Sequence, residues 1–415
     1  VNTRPELPEP AQVARPPPAP GPRGLARIRS AVERAYWDSR EFLDSASERH
    51  AGALTFAGKE RKSGKPMRLF YFGSGNHLAW VRDLAFSECE LESERLRIPA
   101  WRARREVEAA APRVDLVVAD MPWPWERCLR GRGLVEVPAW INQRFELPGR
   151  WPDVFPRLRR SARGEDLRAI RKQGLTYRLV RDEVAIRRFY EEMYVPHLTA
   201  RFGEAAYIEP EWKIRYCVDQ GTLMEILRGE EVVAAQVLWG SRGSLHFLWA
   251  GAAGRGSGAE VRGIFPALYY YGLLHAFENG YDEADYCGSR PVLGDGIFQM
   301  KRRWGARVLD GWSRDSLFFG PRALEGACLD FLAHNAFVER RPEGLAGKLL
   351  LPGSAGAADV ERALQQYASD GIREIAIYSR EAPAPEALAA AAGSPGVRIV
   401  DLSREADPAA AYRTG

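Results

Sequence analysis

The sequence predicts an α/β protein of two or three domains, and three observations lead there. Short apolar or alternating runs such as ALTFAG, MRLFYFG and VDLVVADMP read as strands. Helical patterns lie between them, the longest being IFPALYYYGLLHAFENG. The 415 residues exceed the size of one ordinary hydrophobic core.

Taken in order, residues 1–24 are dominated by proline and read as a disordered or polyproline tail. Residues 25–47 carry a helical pattern, with Ile28, Val32, Tyr36 and Leu43 near one face. Strands and a helix near RARREVEAAA fill the stretch from about 50 to 135, which reads as a small α/β domain running over 25–135. WINQRFEL opens the next domain, 136–335, as a strand. WPDVFPRLRRSARGEDLRAIRKQG follows as one or two helices ending at Gly174. LTYRLV is a strand, and EVAIRRFYEEMYVPHL is an amphipathic helix expected to break at Pro196. Three strands with turns at 228–231 and 241–243 come next, then the glycine-rich loop GRGSGAEVRG and the long helix, which ends at Gly280. EADYCG is a strand, FQMKRRWG a short helix closed by Gly305, and WSRDSLFF a last strand. Residues 345–415 alternate strand and helix, which predicts a small three-stranded parallel α/β unit.

Composition excludes several functions. No stretch approaches the ~20 apolar residues of a membrane span, and no apolar signal core stands near the start. The net charge of +4 makes no case for DNA binding. Only seven of the 59 basic residues are Lys. Five widely spaced cysteines form no CxxC or Cys/His ligand pattern, so no metal is expected, and a reducing cytoplasm is. No G-x-S-x-G elbow is present, which disfavours a hydrolase.

Two clusters carry chemistry. In the glycine-rich loop, bare backbone N–H groups ahead of a helix start suit an anionic phosphate. Gly254, Gly256 and Gly258 allow close approach, Ser257 lies among them, and Arg255 and Arg262 can pair with phosphate oxygens. A flexible surface loop reads equally well. The second cluster spans residues 284–305, where Asp285 ends a strand, Arg290 and Asp295 lie on a loop, and Lys301 sits on the short helix. Such mixed charges orient a substrate or move a proton, or else form a solvated loop with a structural ion pair. The basic stretch 157–172 reads as a solvated helix face or as a contact for a tRNA acceptor arm. His246 and His275 stand in apolar segments and read as core histidines. The three tyrosines 269–271 read as core packing.

The segment from Ile264 to Gly305 resembles the Fem-type and related acyltransferases of the GNAT superfamily. The resemblance rests on the long helix, then Gly280, Asp285 and Gly288, then Lys301, Trp304 and Gly305. The upstream W…R…I-R-K-x-G…V entry, residues 151–180, resembles the same group. The resemblance implies a mixed, twisted GNAT-like sheet split near a central strand, preceded by a degenerate first copy of the same fold. It further implies an acyl group passing by direct attack to an amine acceptor, a small molecule or a cell-envelope precursor in a bacterial cytoplasm. In that reading Asp285 handles the amine, Lys301 and Arg290 hold an anionic group, Asp295 assists, and the loop 254–258 holds acetyl-CoA or another acyl-CoA. The acetyl-CoA loop pattern R/Q-x-x-G-x-G/A ends here in Glu260 instead of a small residue. A tRNA-dependent aminoacyl or peptidyl transferase, and a non-catalytic binding protein on the same fold, therefore stand as alternatives.

Overall fold

The computed structural model describes residues 50–203, 206–241, 243–254, 263–311 and 314–415. The proline-rich start, the helix expected over 25–47 and most of the glycine-rich loop, including Arg255, Gly256, Ser257 and Gly258, lie outside the described residues.

Elements follow the apolar patterns closely. The first stretch gives β1 (His50–Glu60), β2 (Pro66–Gly73), α1 (Leu78–Ala85), β3 (Phe86–Pro99), α2 (Ala103–Ala110), β4 (Leu116–Met121) and β5 (Val135–Pro138). The middle gives β6 (Ile141–Glu146), α3 (Leu167–Lys172), β7 (Leu175–Val180), α4 (Glu183–Arg188), α5 (Val195–Phe202) and α6 (Glu211–Gln220). It continues as β8 (Thr222–Arg228), β9 (Glu231–Ser241), β10 (Ser244–Ala252), α7 (Ile264–Glu278), β11 (Glu283–Ser289), α8 (Gly296–Arg303) and β12 (Arg307–Asp310). The last stretch gives β13 (Ser316–Pro321), α9 (Gly326–His334), β14 (Phe337–Arg341), β15 (Gly344–Ser354), α10 (Ala357–Tyr367), β16 (Ile372–Glu381), α11 (Pro385–Ala392), β17 (Val397–Asp401) and α12 (Pro408–Thr414). No described helix is long and apolar enough to cross a membrane.

These elements form two compact units, each gathered from separate stretches of chain. The first holds Asn142–Cys287 and Met300–Arg307; the second holds residues 50–141, Gly288–Gln299 and Val308–Gly415. The boundaries expected from sequence, at 135/136 and between 335 and 345, are linear, whereas the chain changes units at 141/142, 287/288, 299/300 and 307/308.

In the first unit the strands run in the order β6-β11-β10-β9-β8-β7. All pairings from β7 to β10 are antiparallel, and β10 with β11 is parallel. Helix α7 is apolar on every face, and eleven of its fifteen residues are buried, as a helix wrapped by a core must be. It meets the sheet closely at Gly272, where a Cβ would stand 2.5 Å from the Phe247 ring. Around it pack Trp151, Leu245, Tyr286 and Trp304. Tyr270 and Tyr271 are core residues, the Tyr271 hydroxyl donating to the Leu175 carbonyl.

The helix expected to break at Pro196 does not break there. It runs from α4 through a wide π-type turn, Phe189–Tyr194, into α5, whose first turn contains Pro196. Proline has no N–H to donate. The wide turn changes the hydrogen-bond register, so proline falls in a first turn, where the helix does not require that donor.

The second unit contains a six-stranded sheet, β3-β1-β2-β4-β13-β5, in which β2 and β4 are parallel. It also contains a four-stranded sheet, β14-β15-β16-β17. The expected three parallel strands are β15, β16 and β17, and β14 adds an antiparallel fourth.

One charge lies inside that smaller sheet. Lys348 on β15 is 0% exposed, and its Nζ donates to Glu339 Oε1 at 3.0 Å and to the Tyr378 hydroxyl at 2.9 Å. Burial brings its ammonium down to about 8 in spite of Glu339. A folded value below the unfolded one means that folding disfavours the charged form. The penalty is present below pH 8 and relieved as pH rises towards the unfolded value of 10.5. Urea unfolding of wild type and Lys348→Met should show the wild type gaining stability relative to the variant between pH 8 and 10. A pH-independent difference would remove the assignment.

Candidate active site

The parallel pair at the centre of the first unit is short. Its register is Ser244↔Glu283, Leu245↔Ala284 and His246↔Asp285, and there it ends, although β10 continues to Ala252 and β11 to Ser289. On its other edge β10 stays paired with β9 through an irregularity between Phe247 and Ala250. The two strands therefore part beyond His246 and Asp285, and among the described residues no strand pairs with β10 past that point on the β11 side.

Local backbone explains the parting. Cys287 adopts φ of +62°, a left-handed conformation rarely held by a residue with a Cβ. Its N–H turns back onto Asp285 Oδ1 at 2.8 Å. Lys301 Nζ donates to its carbonyl at 3.0 Å and fixes the turn. The main-chain N–H of Phe247 reaches the Cys287 thiol. A side chain thus stands where the next rung of the sheet would form.

Asp285 is the hub of this place. It is 3% exposed, and beside Cys287 N its carboxylate meets two further polar partners and, in Arg144, the charge of an ion pair without a hydrogen bond. Asn142 Nδ2 lies 3.2 Å from Oδ2, Arg144 Nε 3.1 Å and His246 Nδ1 3.3 Å. Arg144 also pairs with Glu283 at 2.8 Å. Burial by itself raises the Asp285 carboxyl. The hydrogen bond and charge of His246, the Cys287 N–H and Arg144 outweigh it and hold the carboxyl below its ordinary value. A carboxylate so saturated orients its neighbours and is a poor proton acceptor. Asp285 faces His246 Nδ1, which orients the ring, and Trp239 lies against the ring at 5.3 Å. Burial, with Asp285 adding to it, pushes the Cys287 thiol up to about 12.

The residues singled out in the sequence separate. Asp285 and Lys301 meet through Cys287, but Lys301 is 5% exposed and engaged with the strand carbonyl, so its role is to hold the turn. Arg290 and Asp295 belong to the second unit. There Arg290 lies 5.7 Å over the Trp80 ring and 3.9 Å from Asp83. Asp295 accepts from the N–H groups of Ile297 and Phe298 at 2.8 and 3.1 Å, which makes it the cap of α8. Gly254 stands at φ +82° just after β10, and Gly263 at φ +100° opens α7. Helix α3 abuts that opening through Ala169, with Arg168, Arg171 and Lys172 on its exposed side.

His246, Asn142, Arg144 and Cys287 were not among the expected site residues. One signal was available: Asn142 and Arg144 alternate on one face of the strand WINQRFEL. The second unit holds a comparable but closed arrangement. There β2 and β4 stay parallel up to Gly73↔Asp120. The buried Asp120 carboxylate accepts from the Tyr71 hydroxyl at 2.5 Å and from the His77 N–H at 3.2 Å, with His77 Nδ1 at 2.9 Å.

No protein-family model and no curated protein matches the chain. Similar solved structures include FemX, at 11% identity and TM-score 0.33, covering 65% of this chain and 84% of that one. Another is the C-terminal domain of a putative lysylphosphatidylglycerol synthetase from Agrobacterium fabrum, at 12% identity and TM-score 0.29, covering 67% and 83%. A GCN5-related N-acetyltransferase from Sphaerobacter thermophilus gives 13% and 0.32, covering 61% and 73%. All these TM-scores lie below 0.5, and the reading of the site rests on its own geometry.

Proposed function

We propose that the first unit is an acyltransferase centre in which an amine attacks an acyl thioester directly within the β10–β11 split. The observation that carries this is the ending of the parallel pair at His246↔Asp285. It leaves a histidine and its orienting carboxylate beside main chain of β10 that no longer pairs with β11. In this reading the C–N bond forms as His246 takes the proton of the attacking amine, and collapse of the tetrahedral intermediate breaks the C–S bond, the thiolate leaving with a proton from His246 or solvent. Asp285, held by Asn142 and Arg144, positions His246. Main-chain N–H groups of β10 beyond His246 stabilise the oxyanion, and most of the acceleration comes from that and from positioning. No covalent enzyme intermediate is required.

The donor we propose is acetyl-CoA or another acyl-CoA, its phosphates held at the start of α7 by Ile264 and Phe265 N–H groups together with the loop 254–258. The acceptor is an amine on a small molecule or cell-envelope precursor, and the setting a bacterial cytoplasm. We also read residues 25–135 as a degenerate copy of the fold, in which the buried Asp120 carboxylate gathers Tyr71 and His77 much as Asp285 gathers Asn142 and His246.

The basic exposed side of α3, next to the start of α7, favours a second reading in which the donor is an aminoacyl-tRNA. A thermal-shift screen separates the two. A true donor at ~100 times its dissociation constant adds about 2.7 kcal/mol of stability. Stabilisation by acyl-CoA with ribonuclease-resistant activity is expected. Stabilisation by aminoacyl-tRNA alone, with activity lost to ribonuclease, would replace it by the second reading. Partner-protein binding without any donor binding would leave a scaffold and end both.

A further inference from the structure

Three different ligand types meet at the apex of the split. One atom each from the His246 ring, the Asp285 carboxylate and the Cys287 thiol lies within 4.8 Å of the other two. His246 Nδ1 and Asp285 Oδ2 are already 3.3 Å apart. A zinc ion with bonds of about 2.0–2.3 Å in tetrahedral geometry sets its donors roughly 3.3–3.5 Å apart. The nitrogen and oxygen are therefore spaced for one ion, and a side-chain rotation at Cys287 closes the third position. An imidazole, a carboxylate and a sulfur together select the zinc class over magnesium or calcium, which take oxygen alone.

Charge also fits. A thiolate and a carboxylate neutralise a divalent cation, and Arg144 keeps Glu283 as its own partner at 2.8 Å. On binding, the thiol proton leaves to solvent and sulfur ligates as thiolate. Three protein ligands leave a fourth tetrahedral position to water or another ligand. The ion must compete with Asn142 and Arg144 for Asp285 Oδ2. That competition favours an exchangeable ion over a permanent structural one.

We propose that His246, Asp285 and Cys287 form a reversible site for a zinc-class cation, and that occupancy switches the transferase off. The second half rests on the acyl-transfer reading, because the ion takes the two side chains that handle the proton. The first half does not.

Cobalt(II), added to the chelator-treated full chain, is the probe. One ion per chain should bind, with a thiolate-to-cobalt charge-transfer band in the near ultraviolet and intense tetrahedral ligand-field bands. Zinc should displace it one for one. Cys287→Ser should abolish the charge-transfer band, and His246→Ala should weaken binding on the order of tenfold or more. Circular dichroism confirms that the variants are folded. Absence of a thiolate band in wild type at millimolar cobalt overturns the site, as does a band that survives Cys287→Ser. If His246→Ala does not fold, the wild-type and Cys287→Ser spectra decide alone. The switch is tested separately, by acyl transfer with and without zinc. Cobalt binding with zinc-insensitive transfer overturns the switch and keeps the site. Cobalt binding with no transfer by metal-free protein sinks the transferase reading instead.

Discussion

Replacing His246 with Gln is expected to lower kcat for acyl transfer by about two to four orders of magnitude, the usual worth of a positioned general base. Glutamine suits the test because its side-chain amide still donates to Asp285, so the buried carboxylate keeps a partner. What it lacks is a nitrogen able to take a proton from the attacking amine. The start of α7 and the main chain of β10 are untouched, so the donor should still bind and stabilise the protein as it does the wild type. Steady-state kinetics with the donor found by thermal shift, and a panel of primary amines, measure the effect. A kcat within about threefold of wild type would mean that the proton leaves by another path, since a base contributes far more than that. The assignment of His246 would then fall, while the split itself remained.

His246 shows what sequence reading catches and what it cannot. The strands and α7 were legible because they bury apolar faces, and burial writes a period into the chain. The same signal hid His246. Inside SLHFLWA it reads as one polar residue in an apolar strand, and a core histidine is the natural conclusion. Its meaning comes from a parallel register that sets it opposite Asp285, which follows α7 in the chain. No local spacing encodes that pairing, and for the same reason no metal-ligand pattern was visible: the fold, not the sequence, brings His246 beside Cys287. The left-handed backbone at Cys287 was equally silent, because it arises from Asp285 and Lys301 gripping the residue at both ends. β3 was missed for another reason. Its fourteen residues are mostly exposed, with glutamates at alternate positions, so it buries too little to show a strand period. Lys301 and Asp295 were singled out as catalytic candidates, whereas the structure sets them against main-chain groups, the Cys287 carbonyl and the N–H groups of Ile297 and Phe298, which a sequence motif does not display.

Asp285→Ala should be the most destabilising single change at the site, by about 3 kcal/mol, the low end for breaking a buried charge pair. The low end applies because Arg144 keeps Glu283 when the carboxylate goes. The remaining cost falls on groups with nowhere to turn: the Asn142 amide, the His246 ring and the Cys287 N–H all lose their acceptor inside the protein. Asp285→Asn tests the same hub more gently. Its amide can present oxygen towards Asn142, Arg144 and His246, or towards Cys287, but not both, so one donor always faces an NH2 group. A cost of roughly 1–3 kcal/mol follows, the penalty of one unsatisfied buried donor. Urea unfolding measures both, read as a shift of midpoint at constant slope. Two variants within about 0.5 kcal/mol of wild type, the range of an ordinary surface change, would show that Asp285 organises nothing. If the order holds, the left-handed turn at Cys287 loses its anchor in step with stability, and β11 regains the freedom to pair further along β10. The split exists because a carboxylate pulls the N–H two residues on out of the ladder, so weakening that pull should close the opening in which acyl transfer is proposed to occur.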